Sequence, residues 1–111
     1  MRQWEIYLYP FGDELPHPAV ILSNDERCEN KDLALVNALI STTVRLNREP
    51  KKSEVILDED DGLHWKTAVR CDLIYLLPKN RFQDLRGVVG LGRRKEISRK
   101  IAHVLRLPSP W

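Results

Sequence analysis

Two charged residues, Arg70 and Asp72, interrupt the otherwise apolar run TAVRCDLIYLL at 67–77. Residues two apart point to the same side of a strand. One side of this segment therefore carries a cation and an anion together, and its apolar neighbours predict that both are buried. A buried charge needs a partner. One reading is that the two satisfy each other or brace an interface between copies. The other is phosphodiester chemistry. Arginine holds a phosphate by two hydrogen bonds and offsets charge in the transition state. A carboxylate beside it takes the proton of an attacking 2′-hydroxyl. That chemistry needs no metal and acts on RNA only, because DNA lacks the nucleophile.

Other side chains fit the same chemistry less specifically. Ser41, Thr42 and Thr43 offer hydroxyls to a phosphate or a base edge; at the end of a strand they serve equally as hydrogen bonds of the fold. His17 stands between two prolines; a histidine there suits an acid or base or an ordinary surface position. Trp65 and Tyr75 suit base stacking or a core. Cys28 and Cys71 form no CxxC pair and the three histidines are scattered, which argues against a zinc site. Two reduced, part-buried thiols are expected, and no cofactor.

The elements that must carry these residues are short. WEIYLY at 4–9 alternates Trp4, Ile6 and Leu8 with Glu5, Tyr7 and Tyr9, the period of a strand. Pro10, Gly12, Asp13 and Glu14 break it. Pro16-His17-Pro18 reads as a stiff extended turn, with a strand at 19–22. Ser23 and Glu26 fit a capping box around a helical turn at 25–28. The stretch 33–44, LALVNALISTTV, is divided: Leu35/Leu39 and Val36/Ile40 have helical spacing, whereas ISTTV favours a strand. A polar loop at 45–53, a strand at 54–57 and an acidic turn at 58–62 follow. Residues 67–77 form the longest strand, ended by Pro78. Phe82, Leu85 and Gly87–Gly90 suggest a loop and one more short strand. Ile97, Ile101, Val104 and Leu105 make one apolar stripe of a closing helix, stopped by Pro108 and Pro110.

The 111 residues suit one domain, spanning 1–111, and the composition, 42% hydrophobic and 31% charged, is that of a globular chain. No apolar run approaches the ~20 residues of a membrane helix, and no signal peptide is evident, so a cytoplasmic protein is expected. The net charge of +2 conceals an asymmetry. Residues 1–66 carry 8 basic and 13 acidic side chains, and residues 67–111 carry 10 basic and 3 acidic. A basic end of this kind is either a polyanion-binding surface or the solvated face of the last helix. Five or six strands and a terminal helix suggest a small barrel.

In this order the segments resemble the PemK/MazF family of toxin–antitoxin ribonucleases. WEIYLY at 4–9 stands for an opening strand of the GEIWLV type, and HPAVILSND at 17–25 for an RPALVLS-type segment. Leu39-Ile40-Ser41-Thr42 stands for the hydroxyl step of the third strand. AVRCDLIYLLPKNRF at 68–82 stands for VVRCDQIRTIDKxRL, and VRCD at 69–72 is the most specific match. The resemblance implies a mainly β, SH3-like barrel of five to seven strands, with a short helical turn after strand two and a C-terminal amphipathic helix. It also implies that 33–43 is a strand. It implies a homodimer that cleaves single-stranded RNA without a metal, leaving 2′,3′-cyclic phosphate and 5′-hydroxyl ends, and a cognate antitoxin partner.

Carried over by position, Asp72 would be the base on the 2′-hydroxyl and Arg70 would stabilise the transition state. Ser41 and Thr42 match the family's hydroxyl pair and would position the scissile phosphate. Two residues that do not match the family complete the hypothesis: His17 would protonate the leaving oxygen, and Tyr75 would stack on a base. The chain departs from the family at four places. His17 replaces an arginine, Tyr75-Leu76-Leu77-Pro78 replaces the RTID segment, Trp4 replaces a glycine, and the first loop lacks its Gly-rich stretch. A non-cutting module that binds RNA or another protein on the same barrel is the alternative.

Overall fold

The computed structural model describes residues 1–12, 15–44 and 48–108. Asp13, Glu14, the first part of the 45–53 loop and Pro110 lie outside the described residues. The elements are β1 (Glu5–Tyr9), β2 (His17–Ile21), α1 (Asp25–Glu29), β3 (Leu35–Thr43), β4 (Glu54–Leu57), β5 (Thr67–Pro78), β6 (Gln83–Val88) and α2 (Leu91–Val104). One turn of 3-10 helix at Glu59–Asp61 and another at Lys79–Arg81 join strands. The six strands form one antiparallel sheet in the order β4-β5-β3-β2-β1-β6. The sheet curls into a half-barrel, with its hydrogen-bond ladder ending at β4 and β6. No helix among the described residues is long and apolar enough to cross a membrane.

Both faces of the sheet are packed. On one, Ile6, Val20, Leu39, Leu57, Val69 and Cys71 gather under Ile97 of α2, with Trp4 and Ile101 at the margin. On the other, Tyr9, Ala19, Ala38 and Leu77 pack with Phe11, Ile40, Tyr75 and Phe82. Ile21, Cys28 and Val36 extend that second cluster under α1. Burial on both sides explains why 33–44 read ambiguously. A central strand loses its polar alternation, and β3 buries Val36, Ala38, Leu39 and Ser41 together.

Three local expectations are corrected. The strand expected at 19–22 begins at His17, so Pro18 lies inside a central strand, where proline is rare because it has no N–H to donate. The Pro18 carbonyl is not left to the ladder alone: it accepts from the Ser41 hydroxyl at 2.9 Å. The helical turn after β2 is capped by Asn24, whose side chain accepts from Arg27 N at 2.9 Å. Ser23 cannot form the expected capping box, because its hydroxyl accepts from Asn37 N on β3 at 2.8 Å. The apolar stripe of α2 holds at Ile97 and Ile101 but ends before Leu105, which is exposed.

Candidate active site

Arg70 and Asp72 lie on β5 between core residues. Val69 and Cys71 point into the cluster beneath α2, so alternation turns Arg70 and Asp72 to the other face. They are not buried, as their apolar neighbours had predicted: the side chains are 51% and 36% exposed. The neighbours mislead because Leu73, Ile74 and Leu76 are themselves exposed. The two charges meet each other. Arg70 Nε donates to Asp72 Oδ1 at 3.2 Å and Nη2 to Oδ2 at 3.0 Å. That hydrogen-bonded pairing holds the Asp72 carboxyl below its usual range and pushes the Arg70 guanidinium further up.

A break in the β3–β5 ladder brings Tyr75 to the same face. Leu39 stands opposite Ile74 while Ser41 stands opposite Val69, so residues 70–73 face only Ile40. A bulge of this kind shifts the alternation. As far as Cys71 the alternation is regular and Arg70 and Asp72 face away from α2; past residues 70–73 the odd-numbered Tyr75 and Leu77 do. Phe11 lies against Tyr75, ring centroids 5.7 Å apart, and against His17 at 6.0 Å. Phe11 also packs on Tyr9 at 4.8 Å, and Arg81 stacks over the Tyr9 ring at 5.5 Å.

The hydroxyl pair divides. Ser41 stands opposite Val69 and is 1% exposed. Its oxygen accepts from Thr67 Oγ1 at 2.8 Å while donating to Pro18 O. The hydroxyl thus ties β2, β3 and β5 together from the α2 side. Thr42 is exposed and points to the opposite face. His17 is the partner of Tyr9 across β1 and β2, and Tyr9 belongs to the cluster on the face away from α2, so His17 is on that face too. Arg70, Asp72, Tyr75, Thr42 and His17 therefore share one face, and Ser41 supports it from behind. Trp65 packs against the core beneath α2 rather than joining them.

Sequence reasoning missed Phe11, Glu54 and Arg48. Glu54 is the Cα partner of Arg70, yet it is 7% exposed and gripped by Arg48 at 2.8 Å. A carboxylate heading the apolar run EVIL was a signal that it needs a partner; nothing in the spacing says that Arg48 folds back to meet it. Among the described residues, no cluster of three or more His, Cys, Asp or Glu could hold a metal ion.

Residues 2–105 match the family described as PemK-like, MazF-like toxin of type II toxin-antitoxin system. The chain belongs to this family. Its fold is also that of solved relatives. An endoribonuclease from mycobacterial species, solved in complex with its cognate antitoxin, is 27% identical with a TM-score of 0.80, covering 99% of this chain and 99% of that one. Another endoribonuclease from mycobacterial species is 27% identical at a TM-score of 0.78, covering 99% of this chain and 95% of that one. The Mycobacterium tuberculosis toxin MazF-mt6 is 19% identical and shares the fold at a TM-score of 0.78, over 95% of this chain and 99% of that one. No curated protein sequence matches. Within this toxin the departures seen in the sequence have structural counterparts. Trp4, expected from the resemblance to stand for a glycine, takes a left-handed backbone with φ 73°, and His17 opens the second strand opposite Tyr9.

Proposed function

We propose that this toxin is an endoribonuclease that cuts single-stranded RNA without a metal, on the face that carries Arg70 and Asp72. The observation that carries this reading is the two-pronged Arg70–Asp72 pair, solvent-exposed on the same face as Thr42, His17 and Tyr75. A phosphate entering the face competes for the guanidinium, because it too accepts two hydrogen bonds from arginine. As Arg70 turns to the phosphate, Asp72 loses the partner that depresses its pKa and becomes a stronger base. Asp72 then takes the 2′-hydroxyl proton as the 2′-oxygen attacks phosphorus. The P–O5′ bond breaks, and His17 protonates the departing oxygen. The products are a 2′,3′-cyclic phosphate and a 5′-hydroxyl. Thr42 positions the phosphate, Ser41 holds the strand that presents Thr42, and Tyr75 stacks on a base.

The working unit in this reading is a homodimer, for which the exposed apolar side chains of Leu73, Ile74 and Leu76 on β5 supply surface. The cognate antitoxin is expected to bring an acidic segment. A groove of about 390 Å³ lined by Arg94, Lys95, Ser98 and Arg99 on α2 suits it.

The deciding experiment incubates purified protein with a long unstructured RNA in EDTA and maps new ends by primer extension. Discrete cuts that vanish in Asp72→Ala and on 2′-deoxy substrate support the reading; a strict metal requirement would sink it. The alternative, a non-cutting module, draws on the same ion pair. A carboxylate that remains bound to Arg70 is a poor base. It predicts salt-dependent RNA binding with no cleavage from a folded protein.

A further inference from the structure

A second arginine–carboxylate pair adjoins the first. Arg48 donates from Nη1 to Glu54 Oε1 at 2.8 Å and from Nη2 to Oε2 at 3.2 Å. Glu54 also accepts from Lys51 N at 2.9 Å. With 7% of its side chain exposed, this carboxylate is a fixed anchor, whereas Arg48 remains 39% exposed. Glu54 and Arg70 are direct partners across β4 and β5. Such partners raise their side chains on the same face with Cβ atoms about 5 Å apart. Arg48, Glu54, Arg70 and Asp72 therefore form a row of alternating charge.

The charge balance of that row decides what Arg48 does. Of the residues assigned to the RNA site, Arg70 alone is a permanent cation, and it is flanked by two carboxylates, Glu54 and Asp72. Those three side chains sum to −1, a poor receptor for a phosphodiester. Arg48 brings the row to neutrality. Lys51 and Lys52, exposed on the same loop, carry it to a positive balance. Glu54 holds Arg48 by its Nη1/Nη2 end, and a guanidinium has a further donor edge at Nε.

We propose that Arg48 is a second phosphate-binding arginine of the RNA site, carried on the loop between β3 and β4 and fixed beside Arg70 by Glu54. The proposal rests on the reading of this face as an RNA site. It assigns Arg48 to the ligand and Glu54 to positioning.

The test measures binding of a short, mixed-sequence 2′-O-methyl RNA, which cannot be cut, across a range of salt. Arg48→Ala alone leaves a buried carboxylate unpaired, so the main variant is the double Arg48→Ala/Glu54→Gln, which keeps the net charge of the wild type. Its slope of log affinity against log salt should fall by about 0.7, the share of one phosphate contact on a single strand, with affinity down about tenfold. Arg48→Lys should keep the slope. In the wild-type protein the Arg48 Nε–H resonance should shift on RNA addition together with that of Arg70, a readout independent of any variant's folding. A folded double variant with wild-type slope and affinity, or an unmoved Arg48 resonance, overturns the proposal and leaves Arg48–Glu54 as a staple of the loop. If wild-type protein shows no salt-dependent RNA binding at all, the RNA reading itself falls, and the proposal with it.

Discussion

Arg70 grips Asp72 through two parallel hydrogen bonds, 3.2 Å from Nε and 3.0 Å from Nη2, on an open face of β5. The pair is exposed, so its own contribution to stability is small. Its consequence is for the proposed reaction: a carboxylate serving as base there is held ionised but weakened until something displaces it from Arg70. Asp72→Asn should therefore lower cleavage by about 10²–10⁴-fold while leaving RNA affinity near the wild type. Arg70→Ala should reduce both. Single-turnover cleavage and equilibrium binding on the same RNA separate the two effects. Loss of binding in Asp72→Asn would show that the carboxylate holds the substrate or the fold rather than acting as base.

The same pair sets a pH expectation. Because Arg70 keeps the Asp72 pKa below its usual value, the free protein should show no acid limb from Asp72 in kcat/KM above about pH 4. Removing the cation with Arg70→Gln should raise that pKa. Any activity that survives should then lose more on acidification than the wild type does. An acid limb at the same pH in both proteins would mean that another group controls it.

Trp4 tests the cost of holding a large side chain on a left-handed backbone. Its backbone sits at φ 73°, where a side chain costs roughly 1–2 kcal/mol. Two backbone bonds fix it there: Trp4 N donates to Ile21 O at 2.8 Å and Val89 N donates to Trp4 O at 2.9 Å. The indole repays the strain by packing against the core beneath α2. Trp4→Ala keeps the strain and loses the packing, and should cost about 2–3 kcal/mol. Trp4→Gly loses the same packing but relieves the strain, so it should be more stable than Trp4→Ala by about 1 kcal/mol. Urea unfolding of the two variants reads the difference directly; equal stabilities would mean that the strain is negligible.

Much of this was legible in the sequence, and the failures have identifiable causes. WEIYLY announced β1 because one set of alternate residues faces α2 and the other the aromatic cluster. VRCD located the charged pair and its shared side, since i and i+2 geometry needs no tertiary information. Its exposure was not legible, because the apolar residues following Asp72 belong to a surface. Nor was the company of Tyr75. The bulge over residues 70–73 changes which residues share a face, and no local pattern marks it. Ser41 and Thr42 looked alike in the sequence; alternation on a strand buried on both sides sends one hydroxyl inward and the other out. Arg48 was missed because its partner lies across a loop, where spacing carries no information.

Gly87 and Gly92 should respond oppositely to the same substitution. A Cβ at Gly87 would lie 2.2 Å from the Asp61 carbonyl oxygen, a backbone atom with little freedom to move. Asp61 is locked there: its carboxylate accepts from Asp58 N at 3.0 Å and Gly90 N at 2.8 Å. Gly87→Ala must therefore push β6 away from the acidic turn, and should cost more than about 2 kcal/mol. Gly92 lies in the first turn of α2 with nothing within 4 Å of an added Cβ. Gly92→Ala should stabilise by up to about 1 kcal/mol through lower unfolded-state entropy. Thermal melts of the two variants should move in opposite directions.

Glu54 should make the fold acid-sensitive in a way that one substitution isolates. Its folded pKa lies below the ordinary glutamate value, chiefly because Arg48 hydrogen-bonds the carboxylate. A depressed folded pKa means that the native state binds the proton less readily than the unfolded chain does. The stabilisation is thus complete above the unfolded pKa of about 4.3 and is lost as pH falls through the folded value. Glu54→Gln cannot titrate. Near neutral pH it should be less stable than the wild type, since Gln accepts from Arg48 without a charge. As pH falls from about 6 to about 3, the wild type should lose its advantage and the two melting temperatures should converge. The other depressed carboxylates, Asp58 and Asp72, remain in both proteins, so to first order they cancel in the difference. A gap that stays constant over that range would mean that the Arg48–Glu54 bond does not favour the ionised carboxylate in the folded state.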